Sequence, residues 1–264
     1  MLIDTHCHLE TLSESIEKTQ QLCQLEKVDH LISIGVDFEN NTKLIEMIDS
    51  FKNIYCTLGL HPHDAKSWNI NHSNFIEQHF LHPKVIGIGE TGLDYHYLHS
   101  TKEEQFISFN AHIKLTIDLD LPMVIHTREA EEDTWNILQK YNNDLQKVVF
   151  HSFSSNKTLA EKAISKGYFL GFNGMVTFKN ADLIREIVSI CPIDQIVIET
   201  DSPYLTPIPN RGKENSPSYL PYIAKKISEI KNIPLKDLEN ILIDNTLRLF
   251  PKLNNFINPH DHHQ

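Results

Sequence analysis

The chain has 264 residues, of which 40% are hydrophobic and 22% are charged. This composition is ordinary for a globular protein and far from that of disordered chains, and the length suits one (β/α)8 domain of about 250 residues. The net charge of −11, from 24 basic and 35 acidic residues, argues against a general polyanion-binding surface, although bound divalent cations would add positive charge that this count omits.

Eight short runs rich in Ile, Val and Leu recur along the chain and predict β-strands. Their approximate bounds are 2–5, 30–35, 54–58, 84–89, 122–126, 147–151, 168–172 and 195–199. Continuous apolar runs of this kind are typical of parallel strands that are covered on both faces.

Segments with helical periodicity lie between the strands. They are 12–27, a segment that aligns Leu44, Ile45, Ile48 and Phe51, 102–120, and 156–166 followed by Gly167. Strands that alternate with helices predict a closed α/β barrel, the (β/α)8 TIM barrel, in preference to an open sheet. We assign residues 1–255 to this single domain and expect 256–264 to form a disordered C-terminal tail.

The cysteines and the hydropathy pattern indicate the compartment. Cys7, Cys23, Cys56 and Cys191 contain no CxxC pair and are interpreted as reduced thiols. No apolar run reaches membrane-spanning length, and the first residues already predict a strand in place of a signal peptide. We therefore expect a cytoplasmic protein with no membrane association, and we infer no obligatory protein partner.

Polar side chains stand where most of the predicted strands end. They are His6 and His8 after the first strand, His61 and His63 after the third, Glu90 at the fourth, His126 at the fifth, His151 at the sixth, and Asp201 just beyond the eighth. In TIM barrels the site lies at the carboxyl ends of the strands, so these residues are expected to converge on one mouth. Their convergence predicts a metal centre.

A bare His-x-His pair carries little information here, because 16 histidines give about one such pair by chance. His6 and His8 differ, since the period of a strand places both imidazoles on one side, where they can chelate one Zn²⁺ or Mn²⁺ ion. If the pair is considered alone, a structural role as hydrogen-bonded histidines is an equal interpretation. The polar residues at the other strand ends favour metal binding. His61 and His63 are candidates either for contact with a substrate phosphate or for a structural role in their loop.

The remaining candidates each have a structural alternative. Glu90 follows two glycines and could bridge two cations about 3.5–4 Å apart, or could instead pair with Arg or Lys. His126 and His151 each close an apolar strand, where a buried histidine with satisfied hydrogen bonds is the usual alternative. Asp201 lies at a turn and could cap it.

Two arginines are candidates for substrate binding. Arg128 could clamp an anionic substrate or form a salt bridge with Glu129 or Glu132. Arg211, with Lys213, follows the eighth strand and could add a basic patch. These substrate contacts are less specific signals than the metal-ligand pattern, because isolated arginines are common on protein surfaces.

Several longer motifs occur in a fixed order along nearly the whole chain. They include Asp4-Thr5-His6-Cys7-His8, Gly59-Leu60-His61-Pro62-His63, Gly89-Glu90-Thr91-Gly92-Leu93-Asp94-Tyr95, His126-Thr127-Arg128-Glu129-Ala130, His151-Ser152-Phe153 and Glu199-Thr200-Asp201-Ser202-Pro203-Tyr204. With these motifs the chain resembles the TatD family of metal-dependent deoxyribonucleases, within the amidohydrolase-like barrels. It departs from the family pattern at Ser155, where glycine is frequent, and at His96-Tyr97, where an aromatic residue followed by Arg is frequent. The second departure bears on substrate preference.

The resemblance implies a site with two divalent ions, Mg²⁺, Mn²⁺ or Zn²⁺. It implies His6 and His8 on one ion, His126 and His151 on the other, and Glu90 shared between them. It also implies that Asp201 acts as a ligand and as the general base. The imidazole donors favour Zn²⁺ or Mn²⁺ over Mg²⁺ by their softness, although availability can override affinity.

The expected activity is hydrolysis of DNA phosphodiesters by a metal-activated water, with single strands processed from 3′ to 5′ as the resemblance suggests. The same site could act on a carbonyl carbon, in a lactone, a small amide or an aminoacyl-tRNA ester, since the same activated water would serve. A non-catalytic binding protein is disfavoured because no predicted ligand position is missing.

Overall fold

The computed structural model describes residues 1–141 and 143–257. Eight parallel strands form one sheet in the order β1 to β8. They are β1 Leu2–Cys7, β2 Val28–Ile34, β3 Ile54–Leu58, β4 Val85–Asp94, β5 Met123–Arg128, β6 Val148–Phe150, β7 Phe169–Phe172 and β8 Ile196–Ile198. This topology confirms the predicted TIM barrel.

Helices follow the strands and cover the outside of the barrel. They are α1 Ile16–Leu25, α2 Phe38–Ser50, α3 Ile70–His79, α4 Lys102–Leu119, α5 Glu131–Leu138, α6 Lys157–Ser165, α7 Asp182–Ile190, α8 Leu220–Lys231, α9 Leu235–Leu249 and α10 Asn254–Ile257. The first helix begins four residues later than its periodicity predicts, because the Ser15 side chain accepts a hydrogen bond from the Lys18 amide and caps it. Gly167 ends the α6 segment with φ +74°, as expected for a residue in the left-handed region.

Two apolar layers explain which way the site residues point. The inner layer takes residues from each of the eight strands, among them Val124, Val149 and Val197. His126 and His151 stand two residues beyond Val124 and Val149, so the period of two turns their side chains to the same inner face. The outer layer lies between the strands and the helices and holds most of the buried hydrophobic residues.

The last strand returns to the first, which places Asp201 beside the His-x-His pair. The Asp201 amide donates to the His6 carbonyl at 2.9 Å, and the His8 amide donates to the Ser202 carbonyl at 2.9 Å. Asp4 reinforces this junction, since its carboxylate accepts hydrogen bonds from both the amide and the hydroxyl of Thr200. Burial raises the pKa of Asp4 to about 7 against the opposing effect of these bonds.

The opposite end of the barrel is closed by the C-terminal segment. Phe250 and Leu253 belong to the inner apolar layer, and the ring of Phe256 lies 5.2 Å from that of Tyr55. The predicted tail begins at 256, whereas α10 continues through Ile257; the rest of that predicted tail, 258–264, lies outside the described residues. Within the described part of the chain, no helix is both long and apolar enough to cross a bilayer.

Candidate metal centre

Glu90 lies at the centre of a ring of histidines. Its carboxylate oxygens are 2.7 Å from His151 Nε2, 2.9 Å from His126 Nδ1, 3.4 Å from His6 Nε2 and 3.5 Å from His61 Nε2. Burial alone would raise the pKa of Glu90, but the charges of His151 and His61 and the hydrogen bonds from His126 and His151 outweigh it and hold the pKa well below its usual range. Glu90 is therefore an ionised, buried carboxylate that histidines approach from several sides.

Strand β4 runs farther than its apolar pattern predicts, because it continues through Glu90 to Asp94. Glu90 thus lies within a buried strand whose backbone is fixed by its neighbours on both sides. A carboxylate held by a strand has little freedom to move away from the histidines, which suits a shared ligand position.

Asp201 joins the first pair of histidines. Its Oδ1 atom is 3.3 Å from His8 Nε2 and 3.6 Å from His6 Nε2. Burial opposes ionisation of Asp201, but the hydrogen bond from His8 and the charges of the neighbouring histidines prevail and lower its pKa. The two histidines of the His-x-His pair therefore face the same carboxylate, as the period of a strand predicts.

The His6 side chain tests whether a metal ion fits the site. The residue is fully buried, and neither ring nitrogen has a hydrogen-bond partner among the described residues. Burial, together with the charge of His151 stacked 3.9 Å away, lowers the pKa of His6 and keeps the ring neutral. A buried nitrogen without a partner is costly, and a cation would satisfy it, so the residues present fit a bound metal.

Three sets of donor atoms could each hold an ion, with all atoms in a set within 4.8 Å of one another. They are His6 with His8 and Glu90, His6 with His151 and Glu199, and His61 with Glu90 and His126. The first set matches the division that the family resemblance implies. The second and third sets differ from it, because His151 and His126 fall into different sets. The third set also includes His61, which the sequence analysis expected to contact substrate or to shape its loop.

Two carboxylates that the sequence analysis did not select stand behind the histidines. Asp94 Oδ2 is 2.9 Å from His126 Nε2 and 3.2 Å from His63 Nε2. Glu199 Oε1 is 3.5 Å from His151 Nδ1. A carboxylate on the second ring nitrogen of a ligand fixes the orientation and tautomer of the ring.

The sequence contains a signal for Glu199 but not for the strand length that brings Asp94 to the site. Glu199 stands two residues before Asp201 and two after Val197, so the strand period predicts that it faces the barrel interior. Asp94 closes the Gly-Leu-Asp segment after Glu90, but its role depends on how far β4 extends, and the apolar run alone does not give that length.

A cleft of about 740 Å³ opens above the histidines. His61, His63 and Arg128 line it, together with Glu90 and Asp201. The structure therefore brings three of the four predicted substrate contacts to one surface.

The two arginines have different surroundings. Arg128 lies 5.0 Å from the ring centre of Tyr97, and within the described ranges it forms no ion pair with Glu129 or Glu132. Glu129 instead contacts His96 at 2.6 Å. Arg211 lies over the ring of Phe178, 4.0 Å from its centre, and is not among the residues that line the cleft.

The chain is similar to known proteins along most of its length. The profile of a family described as TatD related DNase matches residues 3–251. The chain is 38% identical over 252 residues to the uncharacterized metal-dependent hydrolase YabD of Bacillus subtilis, covering 95% of this chain and 99% of that protein. It is 32% identical over 257 residues to the uncharacterized metal-dependent hydrolase YcfH of Escherichia coli, with 94% and 95% covered.

A solved structure shows the same architecture. The TatD homologue YJJV of Escherichia coli superposes with a TM-score of 0.89 at 26% identity, over 95% of this chain and 98% of that one. The profile match and the two relatives each extend across nearly the whole barrel, including the strand ends that carry the histidines and carboxylates. The chain therefore belongs to the TatD family and is a metal-dependent hydrolase of that family.

Proposed function

We propose that this hydrolase cleaves phosphodiester bonds of DNA, acting on single strands from the 3′ end. The observation that carries the proposal is the guanidinium of Arg128 on the wall of the metal-site cleft, with no acidic partner among the described residues. A free cation at this place suits an anionic phosphate better than a neutral ester or amide. The family description, TatD related DNase, supports the same substrate class.

Two divalent ions would be held by the histidines and carboxylates of the cleft. His6, His8 and Asp201 would hold one, and His126, His151 or His61 would hold the other, with Glu90 between them. Bound divalent ions supply Lewis acidity, which lowers the pKa of a water ligand and neutralises charge on phosphoryl oxygens.

Asp201 would act as the general base. Its carboxylate is ionised near neutral pH, so that it can accept a proton from water. His8 Nε2 lies 3.3 Å from Asp201 Oδ1, and both residues line the cleft. Arg128 would hold a phosphate oxygen of the substrate in the cleft that Asp201 also lines.

The experiment uses a 5′-labelled single-stranded DNA oligonucleotide with Mg²⁺ or Mn²⁺. A ladder that shortens from the 3′ end, and that disappears with EDTA, is the expected result. Asp201→Ala should slow the reaction by about 10²- to 10⁴-fold, the usual contribution of a general base. Asp118→Ala, which removes an exposed carboxylate from α4, is the matched control and should keep the wild-type rate.

Intact DNA with the metal-loaded wild-type protein would refute the nuclease proposal. Turnover of a lactone, an amide or an aminoacyl ester under the same conditions would transfer the proposal to carbonyl substrates. Cleavage that survives EDTA would show that the activity does not depend on this site.

A further inference from the structure

Two tyrosines stand exposed on the rim of the metal-site cleft. Tyr97 is 47% exposed and Tyr204 is 58% exposed, and both line the cleft. Tyr97 follows β4 and Tyr204 follows β8. In a barrel of eight strands the fourth and the eighth lie opposite each other, so the two rings flank the mouth from opposite sides.

The backbone of each tyrosine is tied to the site itself. The Tyr97 amide donates to Asp94 Oδ1 at 3.0 Å, and Asp94 also contacts His126. The Tyr204 amide donates to the Asp201 carbonyl at 2.9 Å. The backbone of both tyrosines is thus held at a fixed position relative to the carboxylates and histidines of the centre.

Each tyrosine side chain remains about half exposed, although histidines and one arginine lie near the rings. The Tyr204 ring meets His8 at an angle of 65°, with the ring centres 6.2 Å apart. Tyr97 lies parallel to His99 within 16°, with the ring centres 5.9 Å apart, and the Arg128 guanidinium lies over the Tyr97 ring at 5.0 Å from its centre. A cation next to an exposed aromatic ring is a usual arrangement for binding one nucleotide, whose phosphate meets the cation while its base meets the ring.

We propose that Tyr97 and Tyr204 are stacking platforms for unpaired bases on the two sides of the scissile phosphate. This inference rests on the proposed function and names the side chains that would recognise unpaired bases of its substrate. Stacking also accounts for how a chain of net charge −11 could bind DNA, since it replaces many of the phosphate contacts that basic proteins use. A paired base already stacks on its neighbours in a duplex, so it cannot occupy such a platform.

The test compares two DNA oligomers of equal length and charge, one carrying thymine at every position and one carrying abasic sugar spacers. Affinity is measured by fluorescence anisotropy, and kcat/KM by gel assay. Wild-type protein should bind and cleave the thymine oligomer better than the abasic one by about 5- to 100-fold for each platform. Tyr97→Ala and Tyr204→Ala should each reduce this ratio, and the double variant should bring it near one.

Matched variants separate stacking from general damage. Tyr97→Phe and Tyr204→Phe keep the ring and should keep the ratio. Tyr222→Ala removes a tyrosine of similar exposure, 40%, from α8, outside the cleft lining, and should also keep it.

The outcomes distinguish this inference from the proposed function. A thymine-to-abasic ratio that is the same in the wild-type protein and in the double variant overturns the stacking inference, even if DNA is cleaved. A binding ratio that depends on the tyrosines, without any cleavage, supports the stacking inference and overturns the nuclease proposal.

Discussion

His112 is predicted to make the stability of the barrel sensitive to acid. It is fully buried on α4, where its Nε2 accepts a hydrogen bond from the Leu60 amide at 3.1 Å and its Nδ1 donates to the Ser108 carbonyl at 2.7 Å. Leu60 precedes His61, so the imidazole also fixes the start of the loop that carries this candidate ligand. The bond from Leu60 requires a neutral ring, because a protonated Nε2 cannot accept from an amide, whereas the bond to Ser108 is compatible with either protonation state.

The size of the effect follows from the pKa of His112. Burial lowers it from 6.5 to about 4, so between these values the unfolded chain binds a proton that the folded protein does not. The contribution of the neutral His112 to the free energy of unfolding is therefore fully present above pH 6.5 and is lost as the pH decreases toward 4. Because proton binding is linked to folding, His112 should lower the free energy of unfolding by about 2 kcal/mol at pH 5 and by about 3 kcal/mol at pH 4.

His112→Gln isolates this contribution, because an amide oxygen can accept from Leu60 and does not titrate in this range. Urea unfolding at pH 7.5 and pH 5 should show that the wild-type protein loses about 2 kcal/mol more than the variant. His99→Gln, at an exposed position, is the control and should follow the wild-type protein. Equal losses in the wild-type protein and His112→Gln would refute the assignment of a neutral, buried imidazole.

Two further substitutions test the orientation of His126 by Asp94 and the close packing of β4 against β5. Asp94→Asn removes the charge behind His126 and should lower metal affinity by about 10- to 100-fold, as measured by calorimetry with Zn²⁺ or Mn²⁺; unchanged affinity would exclude an orienting role for Asp94. Gly92→Ala should destabilise the barrel by several kcal/mol in urea unfolding, because φ is +144° and a Cβ would lie 2.0 Å from the His126 carbonyl oxygen. Gly167→Ala, with φ +74° and no atom within 4 Å of the added carbon, should cost only about 1–2 kcal/mol, and equal losses for both variants would contradict the packing argument.

The strands, and the side of the barrel on which the site lies, could be predicted from the amino-acid pattern alone. The apolar runs are continuous because parallel strands are buried on both faces, and the period of a strand determines which residues point inward. His6, His8, Glu90, His126 and His151 could therefore be selected without coordinates. The barrel class followed from the alternation of strands with helices.

How these residues group, and which carboxylates stand behind them, depends on contacts across the folded barrel. Contacts between His126 and Asp94, or between His61 and Glu90, join residues about 30 positions apart, and their distances depend on the length and register of β4. Local periodicity contains no information on such distances, because it describes the direction of a side chain and not its partner across the barrel.

The same reason explains the different outcomes for the two arginines. Arg128 ends β5 and faces the cleft because the strand is held between β4 and β6. Arg211 lies on the long loop beyond β8, whose path is fixed by contacts such as the one with Phe178. A strand end has a position that the barrel topology dictates, whereas a loop residue reaches its place through contacts that form only in the folded chain.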